Sequence, residues 1–331
     1  MKIPELSLEE ATSFGILPED EAAHPYDPDV EWWNESWFWD FFNADGTVAG
    51  HCRIGMHPVQ RRVWFWFFLY VNDEWIVLEE PRLPLADLQL PRLAYRGWGL
   101  EFSWDPSQAL RRGRLRFRGF GRVVSGPRVG QIQEMGADLE ISAIGAAHTT
   151  GRGDVAGHSS QGFDACRFEQ PIALKGELTS GGQTSSFEGR GERDHSWGPR
   201  AWNMQWTVVV ANREDLRFLC TDVRIPGIDP IKIGYFHTKG TENLSDVDLD
   251  FEYDDDAPLS PAKGTVRITT AGSKKLAFRM EAISGAEIDL THVLDPPRRP
   301  IYRRALIRLH PEDGSDPFIG WYESNRSAEP A

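Results

Sequence analysis

Hydrophobic and polar residues alternate with a period of two along most of this chain. Alternation over segments of about 5 to 12 residues is typical of half-buried β-strands, and roughly 16 to 20 such segments fit between turn sequences. NADG at 43–46 and TSGG at 179–182 are examples of these turns. Helical signals are confined to the N-terminus, where Ser7 is followed three residues later by Glu10 in a capping-box pattern. The pattern predicts an all-β protein.

The length of the chain and a similarity between two of its segments indicate two domains. A chain of 331 residues is long for a single core. Segments 39–58 and 206–227 share an outline: a Trp-led strand, a polar turn, and a second strand ending in Arg-Ile before Gly and Pro. Chance can also produce such an outline. We predict tandem β-domains at 26–165 and 166–331, after an N-terminal extension, 1–25, that wraps the outside.

Charge and composition limit the kinds of binding partner that this chain is expected to have. The formal net charge is −14, which disfavours nucleic acid and anionic membranes as partners. The most apolar run, 63–71, is too short to span a bilayer, and no signal-peptide pattern opens the chain. Cys52, Cys166 and Cys220 form no CxxC pair, which favours a reducing compartment. We expect a cytoplasmic monomer or homodimer.

The aromatic content is high, with 13 Trp and 18 Phe residues. Two interpretations are open. Large aromatic side chains can fill the interior of a β-barrel as core, or they can line a cavity for a flat, apolar ligand. The second interpretation predicts a hydrophobic small molecule as the partner.

The segment GRGERDHSWGPRAW, residues 189–202, concentrates charges, an imidazole and two indoles between glycines. In an extended strand, His195 and Trp197 point to one face, while Asp194 and Ser196 point to the other. Glycine permits bulges and close approach of neighbouring backbone. The run therefore predicts a strand end that presents His195 and Trp197 to a cavity.

A purely structural interpretation of the same run is possible. Arg193 and Asp194 are expected to form an ion pair, and with Arg200 they could lock the strand while His195 only satisfies the backbone. The dispersed histidines argue against a metal centre and no cofactor is expected, although His195 with Asp194 or His237 is the remaining metal candidate.

Three segments carry a family resemblance. Residues 189–202, NESWFWDFFNADG at 34–46 and RIGMHPVQRRVW at 53–64 resemble a family of bacterial proteins. That family is distantly similar to carotenoid 1,2-hydratase (hydroxyneurosporene synthase, AttH-like) and to lipocalin-like Diels–Alderases. The resemblance covers about residues 30–325. It implies two tandem lipocalin-like antiparallel β-barrels, an apolar pocket, and cofactor-free chemistry on terpenoid or polyketide-like substrates.

The resemblance also implies site residues. The hydratases of that family use a His and a Trp two residues apart, which His195 and Trp197 match, with an acid on a following strand. Asp222 in FLCTDVRI is the candidate acid, and Asp194 is the alternative. A Tyr is expected close to the acid, but position 220 is Cys, which places hydration of an isolated alkene in doubt.

The chemistry agrees with these assignments. Adding or eliminating water needs a proton donor in apolar surroundings, where burial raises the pKa of a carboxyl group. We predict a cofactor-independent lyase or isomerase, of hydratase, dehydratase or cyclase type, acting on a terpenoid, steroid or polyketide-like molecule. The alternative is a non-catalytic lipocalin-like binding protein for hydrophobic small molecules. For Glu35, an outward-facing strand position is the alternative to a site role. Predicted substrate-binding residues are Glu35, Trp37, Trp39, His51, Trp202, Trp206, Tyr235 and His237.

Overall fold

The computed structural model describes residues 3, 5–90, 92–149, 166–200, 204–225, 227, 229–254, 257–290 and 299–328. Nearly all of the regular structure in these residues is β-strand, so the all-β prediction is confirmed. The exceptions are helix α1, Leu8–Ala11, and two 3₁₀ turns, Pro18–Glu21 and Leu85–Asp87. No helix in the described residues has the length and apolar character that a membrane span requires.

The chain forms two compact units. The boundary between them lies further along the chain than the predicted position, 165/166. Two strands that follow this boundary pair with earlier strands of the first unit, because their inward residues complete its core. Unit 1 comprises Met1–Asn43 and Thr47–Ala201, and unit 2 comprises Ala44–Gly46 and Trp202–Ala331.

Unit 1 contains twelve described strands in one antiparallel sheet. They are β1 Trp33–Phe42, β2 Val48–His57, β3 Arg62–Val71, β4 Glu74–Pro84, β5 Leu88–Gln89, β6 Ala94–Gly97, β7 Leu100–Gln108, β8 Arg112–Val123, β9 Ile132–Ala143, β10 His148–Thr149, β11 Cys166–Ser180 and β12 Gln183–Pro199. The pairings β1–β2–β3–β4–β8–β9–β11–β12–β1 form a closed ring. Strands β5–β7 extend from β8, and β10 pairs with β11.

Aromatic side chains fill the inside of this ring, as the first of the two interpretations of composition predicts. Phe67 stacks on Phe117 with ring centroids 4.3 Å apart, and Trp39 lies 5.9 Å from Phe102. These side chains are almost completely buried in one core cluster. Burial of each large apolar side chain stabilises the fold by about 1.5–3 kcal/mol. The ring is therefore a packed core.

The N-terminal extension does not simply wrap the outside, which corrects that expectation. The predicted capping box of α1 is present, and Ala11 and Ile16 are fully buried. They pack in one cluster with Phe168 and Trp197. The 3₁₀ turn that follows places the Glu21 side chain in the interior. The segment is thus an integral part of unit 1, because its apolar face and one carboxylate find their partners there.

Unit 2 is a closed antiparallel barrel of eight strands, each paired with the next in sequence and the last with the first. Its strands are β13 Gln205–Asn212, β14 Arg217–Arg224, β15 Ile231–His237, β16 Thr241–Asp254, β17 Ala257–Thr270, β18 Lys275–Asp289, β19 Arg299–Pro311 and β20 Phe318–Ala328. The two units are consistent with tandem lipocalin-like barrels, as predicted.

The two similar sequence segments form equivalent hairpins in the two units. Segment 39–58 covers most of β1 and β2, and segment 206–227 covers most of β13 and β14. In each unit this hairpin comes first, and its first strand pairs with the last strand of the same unit. The similar outlines therefore mark the same structural position in two barrels.

Replacing Gly191 with Ala is expected to destabilise unit 1. The added Cβ would overlap the backbone carbonyl oxygen of Asp40 on the paired strand, and overpacking of this kind costs about 1–3 kcal/mol. Gly97→Ala is the matched control, because its Cβ would meet the Tyr95 ring at an ordinary 3.7 Å. Thermal unfolding followed by tryptophan fluorescence measures both variants. Equal melting temperatures for the two would contradict the prediction.

Candidate functional site

Strand β12 lies beside β1 and brings the predicted motif against the aromatic start of the sheet. His195 is directly opposite Trp37, and Trp197 is opposite Glu35. The predicted alternation is observed: these side chains share the inner face, while Asp194 faces the other side and contacts a surface arginine. His195 is 1% exposed and Glu35 is 0% exposed. Glu35 is therefore an inward residue, and its outward alternative is excluded.

Glu35 accepts hydrogen bonds from two histidines. Its Oε1 lies 3.0 Å from Nε2 of His195 and 2.9 Å from Nδ1 of His24. The backbone N–H of His24 also donates to both carboxylate oxygens, at 3.0 and 3.1 Å. Nδ1 of His195 lies 2.8 Å from the carbonyl oxygen of Asp20. A carbonyl only accepts, so this nitrogen carries the hydrogen, and a proton or another cation must lie between Nε2 and Glu35.

The carboxyl group of Glu35 is ionised at neutral pH. Burial acts to raise its pKa, but the hydrogen bonds and charges of His195 and His24 outweigh burial and hold the pKa below its usual value. The expectation of a buried carboxylic acid with a raised pKa therefore does not apply to Glu35. In this cluster the Glu35 carboxylate is the group that accepts hydrogen bonds.

Each imidazole stacks on an indole. The ring centroids of His195 and Trp37 are 4.5 Å apart with an interplanar angle of 18°, and those of His24 and Trp197 are 3.9 Å apart at 5°. These stacking contacts orient both imidazole rings beside Glu35. The indole faces beside the two imidazoles are apolar, so the polar groups at this point are the imidazoles and Glu35.

A buried ion pair supports the cluster from the same strand. Nη1 and Nη2 of Arg193 donate to Glu21 at 2.7 and 3.0 Å, and Nε donates to Gln170 at 2.9 Å. Glu21 also accepts from Nε1 of Trp104 and from the backbone N–H of Leu110. Burial acts to raise the pKa of Glu21, but the charge and hydrogen bonds of Arg193 outweigh it and lower the pKa. The pair ties the N-terminal segment to β12.

The predicted ion pair between Arg193 and Asp194 is wrong. Neighbouring residues of a strand point to opposite faces, so their side chains do not meet. Arg193 instead pairs with Glu21 inside, and Asp194 accepts from Nη2 of Arg167 at 2.8 Å on the other face.

A small cavity adjoins the cluster. It has a volume of about 210 Å³ and is lined by apolar residues that include Trp37, Trp104 and Leu93, with Glu21 in its wall. Ligand pockets usually measure about 300–1,000 Å³, so this cavity suits a small molecule or one end of a larger one. Trp37 contacts both the cavity and His195. It is the structural link between the apolar space and the polar cluster.

A larger hollow of about 560 Å³ lies along β6 to β9. Its rim is charged, and these charges are paired: Arg96 with Glu101, and Arg116 with Asp138. A rim of paired, exposed charges does not favour an apolar ligand. The smaller cavity beside Trp37 is the better candidate for one.

Two predicted site residues line the same cavity in unit 2. Asp222 and Trp206 line a cavity of about 340 Å³. Asp222 accepts a hydrogen bond from Nη2 of Arg224 at 3.0 Å, and Trp206 donates to a glutamate of β20 at 2.7 Å. Both ring nitrogens of His195 have hydrogen-bond partners within unit 1, and the pairing of His195 with Asp222 stays a prediction. A catalytic role for Asp222 stays a prediction.

The remaining predicted residues make other contacts. Tyr235 is buried in β15, and Nδ1 of His237 lies 2.7 Å from the hydroxyl of Thr241. Burial lowers the pKa of His237 to about 4. His51 in β2 stacks on Phe68 with centroids 4.3 Å apart, and burial lowers its pKa well below the usual value. Both histidines are neutral at pH 7.

Two further residues complete the comparison with the sequence. Trp39 belongs to the aromatic core, 5.2 Å from Trp104, and Trp202 lies outside the described residues. Sequence reasoning missed His24 and Glu21. The N-terminal segment that carries them shows no strand periodicity, so no local signal assigns either residue to an interior site.

The cluster has the composition of a metal-binding group. Nδ1 of His24, Oε1 of Glu35 and Nε2 of His195 all lie within 4.8 Å of one another. The metal candidates drawn from the sequence differ from this group. Asp194 is on the opposite face of β12, and His237 belongs to unit 2.

The architecture places the chain among proteins with tandem lipocalin-like barrels. A Nitrosomonas europaea protein provisionally identified as AttH has 11% identity and a TM-score of 0.66, with coverage of 94% of this chain and 96% of that one. CghA with Sch210972 has 11% identity and a TM-score of 0.55, with coverage of 89% and 88%. Kievitone hydratase from Nectria haematococca has 11% identity and a TM-score of 0.56, with coverage of 99% and 98%. These likenesses support the expected resemblance at the level of the fold.

The chain belongs to the family described as a domain of unknown function, DUF7064, whose model matches residues 17–328. The match spans both units and includes every residue of the cluster. No curated protein matches the chain in sequence.

Replacing Arg193 with Ala is expected to lower the free energy of unfolding of unit 1 by about 3 kcal/mol or more, because Glu21 is left buried without its counter-charge. Arg114→Ala is the control. It removes an exposed pair with Asp138, whose side chains are 44% and 40% exposed, and should cost less than about 1 kcal/mol. Urea denaturation followed by tryptophan fluorescence compares the two. Similar losses would show that the buried pair is unimportant.

Glu35 should make unit 1 sensitive to acid. Its folded pKa is below the usual 4.5, so its stabilising contribution is fully present above about pH 4.5 and is lost as the pH falls through the folded pKa. In Glu35→Gln the free energy of unfolding should therefore fall less steeply between about pH 5 and pH 3. Denaturant titrations at several pH values measure the slope, with the exposed Glu101→Gln as control. An unchanged slope in Glu35→Gln would refute the assignment.

Proposed function

We propose that this protein is a lyase or isomerase, of hydratase, dehydratase or cyclase type, that acts on a small hydrophobic molecule by acid–base chemistry. The observation that carries the proposal is the buried pair of His195 and Glu35, stacked on Trp37, whose indole also lines an apolar cavity. A protein that only stores an apolar ligand gains nothing from desolvating a carboxylate beside it.

The proposed roles follow from the contacts. A substrate in the cavity lies against Trp37, the residue that also stacks on His195. Protonated His195 donates to a carbon or leaving oxygen of the substrate, and the cation that develops faces indole. Glu35 remains a carboxylate and stabilises the protonated imidazole. His24, 20% exposed at its side chain, connects this buried pair to solvent and returns the proton.

Two structural neighbours support the class of reaction. One is kievitone hydratase, and another was solved with Sch210972. Their likeness to this chain concerns the fold, so the choice of a terpenoid, steroid or polyketide-like substrate rests on the resemblance in sequence and on the apolar lining of the cavity. The cavity volume favours the smaller members of those classes.

The test is proton transfer from solvent. The purified chain is incubated in D₂O with a panel of terpenoids, steroids and polyketide-like compounds, and mass spectrometry follows each compound. We expect one class to gain deuterium at carbon, and we expect this rate to fall about 100-fold or more in His195→Gln. His310→Gln is the matched control. His310 lies 3.1 Å from Glu281 in a partly exposed pair, and the substitution should leave the rate unchanged.

Three outcomes would overturn the proposal. Binding of a compound without chemical change would make the protein a carrier. Conversion without deuterium uptake and without gain or loss of water would indicate a rearrangement without proton transfer. Full activity in folded His195→Gln would move the chemistry elsewhere, with the Asp222 cavity of unit 2 as the next candidate.

A further inference from the structure

We propose that His24, Glu35 and His195 form a binding site for one divalent transition-metal ion. Three donor atoms, two imidazole nitrogens and one carboxylate oxygen, converge within 4.8 Å of one another. Two histidines and a glutamate are the protein ligands of many catalytic zinc sites, and two histidines with one carboxylate also hold other first-row metals. Bonds of about 2.0–2.2 Å require only small shifts of these side chains.

The outer contacts of the two histidines are those of metal ligands. A histidine that binds a metal usually donates its other ring N–H to a carbonyl or carboxylate, which fixes the tautomer and orients the ring. Nδ1 of His195 lies 2.8 Å from the backbone carbonyl of Asp20. Nε2 of His24 lies 3.6 Å from the side-chain carboxylate of the same Asp20. Asp20 thus orients the His195 ring by a hydrogen bond, and its carboxylate lies close to the outer nitrogen of His24.

The contact between His195 and Glu35 also calls for a cation. With the hydrogen of a neutral ring on Nδ1, the lone pair of Nε2 points at a carboxylate oxygen 3.0 Å away. Two lone pairs at that distance repel each other unless a proton or a metal ion lies between them. A metal ion here displaces protons from the contacts of the two rings with Glu35.

The surroundings suit a doubly charged ion. Glu35 and Asp20 supply two carboxylates, whereas the nearby Glu21 is already neutralised by Arg193. His24 is partly exposed, which provides an approach from solvent. The stacked indoles exclude water from the other sides of the rings, so few competing ligands reach the ion.

This inference concerns the residues of the proposed function but does not rest on that function. A bound ion occupies the atoms that proton transfer needs, so it should inhibit the turnover proposed above. Metal content and affinity are measured without any substrate. Failure of the metal site and failure of the enzymatic proposal are therefore distinguishable.

The experiment uses the full chain, freed of any affinity tag and of metal by EDTA dialysis. Isothermal titration with Zn²⁺ and absorption titration with Co²⁺ measure stoichiometry and affinity. We expect one ion per chain with a micromolar or lower Kd, and visible Co²⁺ bands typical of nitrogen and oxygen ligands. Glu35→Gln should weaken binding more than 100-fold, and Asp20→Asn by about 10–100-fold, as expected for an outer partner.

Two further variants make the result decisive. His310→Ala, which removes a histidine next to Glu281, should leave affinity unchanged. His24→Ala removes the most exposed ligand and leaves the His195–Glu35 contact in place, so it tests the site even if Glu35→Gln does not fold. Absence of uptake, or equal affinity in the wild type and His24→Ala, would overturn the proposal. Equal losses in His24→Ala and His310→Ala would overturn it as well.

Discussion

The constraint on which unit 1 depends is the burial of two carboxylates. Glu21 and Glu35 have 7% and 0% of their surfaces exposed, and an ionised carboxylate in such surroundings is stable only when it is paired and hydrogen-bonded. Both counter-groups come from one strand: Arg193 binds Glu21, and His195 binds Glu35. Because these two residues are two positions apart, their side chains point to the same face and reach both acids at once.

This pairing couples the site to closure of the barrel. The residues of the two contacts are separated by 172 and 160 positions in the chain. Contacts between such distant positions are slow to form during folding, because the entropic cost of closing a long loop must be overcome first. The pairing of β12 with β1 is one of the contacts that close the ring of unit 1. The contact of His195 with Glu35 spans this pairing, so a change that separates the two strands removes the cluster.

The second unit also contains a buried ion pair, here between an arginine and a glutamate. Arg304 is 2% exposed, stacks over Trp321 with its guanidinium carbon 4.9 Å from the ring centroid, and pairs with Glu323. Burial lowers the pKa of Arg304 to about 10, so it stays charged at neutral pH. Glu323 also accepts from Tyr302. In the described residues, the group of two histidines and a carboxylate belongs to unit 1. Both units thus bury a charged side chain together with its counter-charge, and unit 1 also holds two imidazoles beside a buried carboxylate.

The sequence by itself determined the period-two strands and the face shared by His195 and Trp197, since these follow from local periodicity. It also indicated Glu35 as a polar residue among aromatics. Only the tertiary structure decided that the Glu35 carboxylate lies beside His195, and that His24 joins them. Periodicity states which face of a strand a side chain occupies. It does not state which strand lies alongside, because strand pairing is set by the closure of the whole ring.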